Sequence, residues 1–448
     1  MYNLKEIINK YKTKKVVKAG SWYIIGQFLQ KGILVLLLPI LTRLLPTTEE
    51  YGILSLYNTW SVILGIIITL DLWASVNRAK FDYDNQQFNE FFSSTVFWGT
   101  TFFVIGMFIF SFIPGGLIQT IFGLNKILVF YALLGGYLTF PYNSILARWT
   151  VEYKYKRYFI TILLSTIANL LLSIILILLM KNNKYLGRIY GVLIINGVIS
   201  ILILSSVFKN PGHFLKKDYF RYAFAFSAPL IIHHLAQAIL SQFDRIMIDK
   251  YIGKSEVGIY NFAHTLGSII FILFTATNTA FVPWFFEKMK EEKYATIKNR
   301  SRIYLFGFTL ITILTILISP LLVRIIGPRR YWEGTAIVPI IMAGYFFMFL
   351  YTFCYTIEAY YKKTHYLSLG TIIAALFNVA LNYLLIPKYG YVASAWTAFI
   401  SYALLFFFHY IIVKFIIKRV ILNFITLSMC GLIVFLISMI VAHFCKGI

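Results

Sequence analysis

The first long apolar stretch of the chain lies at residues 20–41 and reads GSWYIIGQFLQKGILVLLLPIL. At about 1.5 Å per residue, a helix of this length spans roughly 30 Å, the thickness of the hydrocarbon core of a bilayer. The stretch is too long for the apolar core of a secretory signal peptide, and it follows a polar, basic segment that ends at Lys18. It therefore predicts a transmembrane helix and not a cleaved leader.

Twelve further apolar stretches make this helix the first of a series. They lie at residues 52–74, 91–113, 127–147, 159–180, 189–207, 223–248, 258–282, 302–326, 334–358, 366–386, 391–413 and 421–444. Of all residues, 59% are hydrophobic and 13% are charged, and the mean hydropathy is +0.76. A soluble protein of this composition could not cover its surface with polar atoms. The sequence predicts an all-α polytopic membrane protein.

The positive charges lie between the apolar stretches. The formal net charge of +24 would suit a nucleic-acid partner if it formed a continuous patch, but it is divided among many loops, so we expect no nucleic-acid partner. Lys and Arg number 26 in the loops on the same side as the N-terminus and 11 in the other loops. The positive-inside rule therefore predicts a cytoplasmic N-terminus.

The chain also begins with an amphipathic segment. Leu4, Ile7, Ile8 and Tyr11 fall on one helical face, and the lysines of this segment lie mostly elsewhere. Residues 1–19 are thus predicted to form an interfacial helix on the inner leaflet.

A repeat relates the two halves of the chain. At a shift of 206 residues, Glu50, Gly52 and Ile53 recur as Glu256, Gly258 and Ile259. Six spans bring the chain back to the side where it started, so the repeat is parallel, with its axis along the membrane normal. The predicted parts are an N-lobe (20–207), a cytoplasmic linker (208–222), a C-lobe (223–413) and an additional C-terminal helix (421–444). The cleft between two such lobes is the natural path for a substrate.

Three motifs carry a family resemblance. They are TRLL at 42–45 with EYG at 50–52; Asn378 followed by NYLLIPKYG at 382–390; and Ala395 with Ser401 and Tyr402. With these motifs the chain resembles the Wzx-type flippases of the polysaccharide transport family, within the MOP (MATE-like) superfamily. The resemblance covers roughly residues 15–413. The thirteenth span departs from the twelve- or fourteen-span forms of that family.

The resemblance implies two six-helix lobes that work by alternating access. It implies that a polyprenyl-diphosphate-linked oligosaccharide repeat unit, of the O-antigen or capsule type, moves from the inner to the outer leaflet of the bacterial cytoplasmic membrane. The implied partners are this lipid-linked oligosaccharide, membrane lipid, and the polysaccharide polymerase and co-polymerase proteins. No cofactor is implied.

Lys31 is the most informative polar residue of the spans. It lies about 16 Å from either end of its helix at ~1.5 Å per residue, too deep for a lysine stem to reach the surface. Gln27 and Gln30 extend the same polar face. Charges at such depth are costly and mostly functional, so we expect all three to bind substrate. The alternative is a structural lysine that is hydrogen-bonded to carbonyl or amide groups.

Span seven carries a second polar stripe. Its members at helical spacing are His234, Gln237, Ser241, Asp244 and Arg245. Gln237 is the repeat counterpart of Lys31, and we expect Gln237, Ser241 and Arg245 to face the substrate path. Two alternatives remain: the stripe forms hydrogen bonds between lobes, or Arg245 pairs locally with Asp244 or Asp249.

Titratable residues in the spans are candidates for ion coupling. They are Asp71, His233, His234, Asp244 and Glu358. Histidine changes charge near neutral pH, although neutral packing is the more common role of a buried histidine. The three cysteines, Cys354, Cys430 and Cys445, show no metal-ligand spacing, so we expect no metal site.

The sequence also bears on three other functions. Glu49 and Glu50 in the first outer loop could serve a membrane glycosyltransferase, but Glu50 recurs as Glu256 before the same Gly-Ile pair, which favours a role at the start of a helix. We therefore expect no enzymatic activity. A MATE-like drug or cation antiporter would favour acidic residues in its cavity, whereas Lys31 is basic. An exporter of lipid II or of a teichoic-acid precursor also fits the resemblance.

Overall fold

A computed structural model describes residues 20, 22–23, 25–26, 29, 32–33, 35–208 and 216–445. The predicted interfacial helix at 1–19 and residues 209–215 of the predicted linker lie outside this part of the chain. Sixteen α-helices are described: α1 (Val35–Leu44), α2 (Thr48–Thr69), α3 (Val76–Asp82), α4 (Asn85–Phe112), α5 (Gly115–Phe122), α6 (Lys126–Val151), α7 (Tyr155–Leu179), α8 (Tyr185–Phe208), α9 (Lys217–Tyr251), α10 (Lys254–Gly267), α11 (Ile269–Lys290), α12 (Tyr294–Ile326), α13 (Val338–Tyr360), α14 (Thr364–Tyr389), α15 (Val392–Ile411) and α16 (Phe424–Cys445). Two 3₁₀ segments, Leu72–Ser75 and Arg329–Ile337, and one π-helical turn, Ile412–Ile417, complete them.

The helices match the predicted spans. Eleven helices of the described residues are long and apolar enough to cross a membrane, and the bent pair α5–α6 makes a twelfth if it counts as one span. Each predicted span from the second to the thirteenth overlaps one of these, and only part of the first span is described. The fold class, an all-α polytopic membrane protein, is confirmed.

The chain divides into two compact units, which differ from the predicted lobes. The first unit comprises residues 1–33 and 56–235, and the second comprises residues 34–55 and 236–448. The predicted linker ends at 222, yet α9 begins at Lys217 and continues without a break to Tyr251. The first part of this long helix therefore belongs to the first unit and the rest to the second.

Close helix contacts at small residues hold the first unit together. Gly65 of α2 faces Gly136 of α6, where a Cβ on Gly65 would lie 3.0 Å from the Cα of Gly136. Gly191 of α8 meets Ser173 of α7 in the same way, with only 2.8 Å between a Cβ at Gly191 and the Cα of Ser173. Small residues let helix backbones approach in lipid, where packing and not the hydrophobic effect drives association.

Helix α13 is the centre of the second unit. Of its apolar stretch, 89% is buried within the protein, and it packs against α11, α15 and α16. The additional C-terminal helix α16 also packs against α12. Together with α13 and α15 it lines a cavity of about 570 Å³ whose lining residues are apolar except for Ser428 and include Phe347, Phe407 and Phe435. The predicted thirteenth span is thus an integral part of this unit.

Candidate functional site

The predicted substrate-binding residues divide between two parts of the chain. Gln27, Gln30 and Lys31 lie outside the described residues, so their role stays a prediction. Gln237, Ser241 and Arg245 follow one another at four-residue steps on α9, which places them on one helical face. Gln237 is exposed, and its carbonyl accepts a hydrogen bond from Ser241 Oγ at 2.8 Å.

Arg245 is buried and extensively paired, with only 4% of its surface exposed. Its guanidinium donates to Ser241 O at 2.6 Å and to Asn261 Oδ1 at 3.4 Å. It lies 3.6 Å from Asp244 Oδ2 and 5.3 Å from the ring centre of Tyr260. The local pairing with Asp244 that the sequence left open is therefore present.

The alternative partner, Asp249, is paired elsewhere, 3.2 Å from Lys254 Nζ. Arg245 is thus held by contacts within its own unit. Only the guanidinium N–H groups that these contacts do not use can donate to a substrate.

Aromatic hydroxyls extend the cluster around Asp244. Tyr260 donates to Asp244 Oδ2, whereas Asp244 Oδ1 is buried without a hydrogen-bond partner. The hydroxyl of Tyr345 lies 3.0 Å from His264 Nε2. The sequence did not single out Tyr260 or Tyr345, because tyrosines are frequent in membrane helices and carry no spacing signal. The cluster combines one cation, one carboxylate and several hydroxyls in a buried place.

A second cluster forms where α2 breaks. Asp71 follows the end of α2 and has 3% of its surface exposed. Its Oδ2 lies 2.5 Å from His234 Nδ1, and its Oδ1 accepts from Trp73 Nε1 at 2.6 Å. The backbone carbonyl of Asp71 accepts from Ser227 Oγ at 3.2 Å. Two residues that the sequence proposed separately for ion coupling, Asp71 and His234, are therefore in direct contact.

Glu358 is part of a third cluster. Glu358 and His409 are both fully buried, with 2.8 Å between Glu358 Oε1 and His409 Nδ1. The other carboxylate oxygen and the other ring nitrogen have no hydrogen-bond partner. Gly370 makes room for the ring, since a Cβ there would collide with it. His409 was not among the predicted site residues, because it lies at the end of an otherwise apolar span. Histidine is rare in such spans, and only this rarity could have indicated it.

The amides of α14 link this helix to α15. Asn382 Nδ2 donates to Asn378 Oδ1 at 3.0 Å, and Thr397 donates to Asn382 Oδ1. All three residues are fully buried. The first of these hydrogen bonds lies within α14, and the second joins α15 to α14, as expected for asparagine in a membrane helix.

Charged residues outside the predicted spans connect the start of α9 to α3 and α4. Lys216 lies 2.8 Å from Glu90 Oε2, and hydrogen bonding to this carboxylate raises the pKa of Lys216. Tyr222 donates to Asp82 Oδ2 at 2.5 Å, and this hydrogen bond lowers the pKa of Asp82. Both pairs fix the beginning of α9 within the first unit.

No group of three or more His, Cys, Asp or Glu residues suited to a metal ion occurs in the part of the chain that the structure describes.

Comparison with family models gives two matches. Residues 16–289 match the model described as polysaccharide biosynthesis protein. Residues 229–384 match the MatE model.

Among curated proteins, the chain is similar to two from Haemophilus influenzae. It is 27% identical to Lsg locus putative protein 1 over 382 residues, which cover 82% of this chain and 90% of that protein. It is also 27% identical to an uncharacterized membrane protein over 321 residues, covering 70% of this chain and 74% of that one.

Solved structures share the fold at low sequence identity. The lipid II flippase MurJ, in an inward closed conformation, matches with a TM-score of 0.64 at 16% identity, over 93% of this chain and 98% of that chain. A multidrug resistance MATE family transporter in its inward-facing conformation matches with a TM-score of 0.54 at 14% identity, over 97% and 95%. A MOP superfamily transporter from Pyrococcus furiosus matches with a TM-score of 0.53 at 14% identity, over 97% and 96%.

Proposed function

Because the chain belongs to the family of polysaccharide biosynthesis proteins, we propose that it is a flippase for a polyprenyl-diphosphate-linked oligosaccharide repeat unit of the O-antigen or capsule type. The family membership and the MATE-like fold confirm the resemblance drawn from the loop motifs. The chain is a multi-pass membrane transporter of the MOP superfamily. The substrate, its movement from the inner to the outer leaflet by alternating access, and the bacterial cytoplasmic membrane are parts of the proposal.

One observation carries the proposal: a polysaccharide-synthesis family model matches residues 16–289 of a chain made almost wholly of membrane helices. Polysaccharide synthesis needs a membrane step wherever sugars are assembled on a lipid inside the cell and used outside. Placing a diphosphate in hydrocarbon costs on the order of tens of kcal/mol by continuum estimates. The lipid tail never leaves the bilayer, so the protein has to supply a path only for the head group.

Lys31 is the residue that we propose for the diphosphate, with Gln27 and Gln30 beside it. Lysine suits this role because its ammonium is a compact charge with three donors. Gln237 and Ser241 would contact the sugar through hydrogen bonds. Arg245 would contribute less than Lys31, because its charge is already shared with Asp244.

The membrane potential favours the outward movement of an anion. It supplies about 2.3 kcal/mol per charge per 100 mV in an inside-negative cell. With the N-terminus in the cytoplasm, Lys154, Lys216 and Lys290 lie in inner loops. The polymerase and co-polymerase proteins would then receive the repeat unit on the outer side.

Two other candidates share the fold. The match of residues 229–384 to the MatE model and the three buried carboxylates of the described residues, Asp71, Asp244 and Glu358, favour a drug or cation antiporter as the second candidate. An exporter of lipid II or of a teichoic-acid precursor would use the same diphosphate chemistry and differ only in the sugar.

The experiment compares Lys31 variants in a strain that lacks the native protein. Lys31→Gln should abolish or strongly reduce surface polysaccharide, Lys31→Arg should retain part of it, and Lys31→Glu should be the most defective because it repels the diphosphate. Lys181→Glu is the matched control, since it makes the same charge change at an exposed loop residue. Normal export by a normally expressed Lys31→Glu protein would contradict the proposed role of Lys31.

A further inference from the structure

The break after α2 holds two residues in an uncommon backbone conformation. Leu70 has a φ of 50° and Asp71 a φ of 49°, so two consecutive residues with side chains are left-handed. This conformation is unfavourable for residues with a side chain, and it persists only where the surroundings enforce it. Here Thr69 donates to Gly65 O at 2.7 Å, and Ser227 of α9 donates to the carbonyl of Asp71. This backbone conformation places the Asp71 carboxylate next to α9.

The Asp71 carboxylate contacts two groups: the imidazole of His234, which can exchange protons, and the indole of Trp73, which cannot. Trp73 Nε1 donates to Oδ1, and an indole is a donor only. His234 Nδ1 approaches Oδ2 at 2.5 Å, and the Trp73 and His234 rings lie parallel to within 4°, with centroids 6.4 Å apart. The side chain of Asp71 is 5% exposed and that of His234 is 29% exposed. The imidazole is therefore partly exposed, and the carboxylate lies behind it.

Other charged groups near the break have partners of their own, as Lys80 has in Asn85, or are exposed at the start of α9. The 3₁₀ segment after the break packs against α3, α4 and α6. The charged groups of these helices with pairs in the structure are Arg78 with Asp82, Glu90 with Lys216, and Arg148 with Glu152. On α9, Lys217, Asp218 and Arg221 are exposed at its start, and the ring of His233 lies 5.7 Å from that of His234. Among the described contacts of Asp71, His234 alone can become a cation.

We propose that Asp71 and His234 form one proton-binding site. His234 Nδ1 keeps its hydrogen and donates it to Asp71, and Nε2 takes up and releases the exchanged proton with water. With the proton bound, the pair is an imidazolium beside a carboxylate and has no net charge. After release, one uncompensated negative charge remains in a buried place, which is unfavourable.

Proton binding thereby stabilises the contact between the break and α9. Pro229 interrupts the hydrogen bonding of α9 five residues before His234. Proton release would weaken the contact next to a point where α9 can bend. The site would couple proton movement to the conformational cycle, and this coupling rests on the proposed transport function, whereas proton binding itself does not.

Trp73 provides a test that requires no substrate, because an imidazolium quenches a neighbouring indole more strongly than a neutral imidazole does. The measurement is the fluorescence of the purified protein minus that of Trp73→Phe, from about pH 5 to 8, the range in which histidine changes charge. We expect quenching on acidification. It should vanish in His234→Gln and persist in His233→Gln, the matched control.

A Trp73 signal that does not change with pH, or one that disappears in His233→Gln but not in His234→Gln, would overturn the proton site. Export in cells then tests the coupling. His234→Gln and Asp71→Asn should each lower surface polysaccharide several-fold, with the double variant no worse than either single one, because the two residues act as a unit. Additive losses, or unchanged export, would overturn the coupling while the fluorescence result stood, and the Lys31 variants report separately on transport.

Discussion

Alanine at Gly52 should destabilise the second compact unit, because α2 and α10 touch through their backbones at that point. A Cβ on Gly52 would lie 2.8 Å from the carbonyl carbon of Lys254 and nearer still to its oxygen, and 3.1 Å from Gly258 N. A Cβ on Gly258 would lie 2.9 Å from the carbonyl carbon of Thr48 and 3.2 Å from Gly52 N. The contact is reciprocal between residues 206 positions apart, so the repeated Glu-x-Gly-Ile motif has a packing role as well as a place at the start of a helix.

The magnitude follows from these distances. Carbon atoms in contact are normally about 3.5–4.0 Å apart, so a Cβ at 2.8 Å requires the helices to separate by roughly 1 Å. Backbone atoms cannot rotate away as a side chain can, and overpacking of this kind typically costs about 1–3 kcal/mol. The separation would also stretch the hydrogen bond between Thr48 Oγ1 and Ser255 Oγ, now 2.6 Å, worth about 0.5–1.5 kcal/mol. We expect a loss of about 1.5–4.5 kcal/mol from the two terms together.

The assay is the thermal stability of purified variants in detergent, followed by size-exclusion chromatography. Gly52→Ala and Gly258→Ala should each lower the melting temperature by several degrees. The double variant should lose less than the sum, because one separation relieves both clashes. Gly307→Ala is the control: no atom lies within 4 Å of a Cβ at this position in α12, and alanine favours a helix by up to about 1 kcal/mol. A Gly52→Ala protein as stable as Gly307→Ala would refute the packing argument.

Further outcomes concern topology, the buried pair of the second unit and Arg245. A cysteine at Lys290 should resist an impermeant thiol reagent in intact cells, while one at Asn183 should react; the reverse labelling would overturn the assigned orientation. Removing the imidazole in His409→Gln leaves Glu358 buried without its partner, so the free energy of unfolding should fall by about 3–5 kcal/mol if the pair is charged. The double variant with Glu358→Gln should lose less. Equal losses in the single and the double variant would argue against an ionic pair. Arg245→Gln should reduce export less than Lys31→Gln in the same strain, and a larger defect would make Arg245 the principal ligand.

Most of the span positions could be predicted from the sequence because lipid imposes a strict rule. A segment in hydrocarbon must satisfy its own backbone hydrogen bonds and present apolar side chains, so each span is a continuous apolar run of about 20 residues. The run at residues 421–444 met this rule, and α16 occupies 424–445. The unit boundaries were less accessible, because α9 is continuous from Lys217 to Tyr251 and a continuous helix gives no local signal of where its contacts change.

The polar clusters depended on packing between distant segments. Asp71 and His234 are 163 residues apart in the sequence. Their contact requires the left-handed backbone conformation after α2, and the identities of Leu70 and Asp71 do not predict it. His409 was not singled out at all, because its relation to Glu358 exists only where α13 and α15 meet. The pairing of Arg245 with Asp244 was foreseen as one alternative, since neighbours in sequence need no fold to meet.

The most direct test of the central claim is transport by the purified protein in liposomes. A polyprenyl-diphosphate oligosaccharide with a fluorescent sugar would be placed in the bilayer, and an impermeant reagent would then destroy the label in the leaflet that it can reach. We predict that the wild-type protein brings nearly all of the label within reach of the reagent, whereas Lys31→Glu leaves about half protected, as in liposomes without protein. A folded wild-type protein that leaves the protected half unchanged, but exchanges an organic cation across the same membrane, would contradict the account and favour the antiporter.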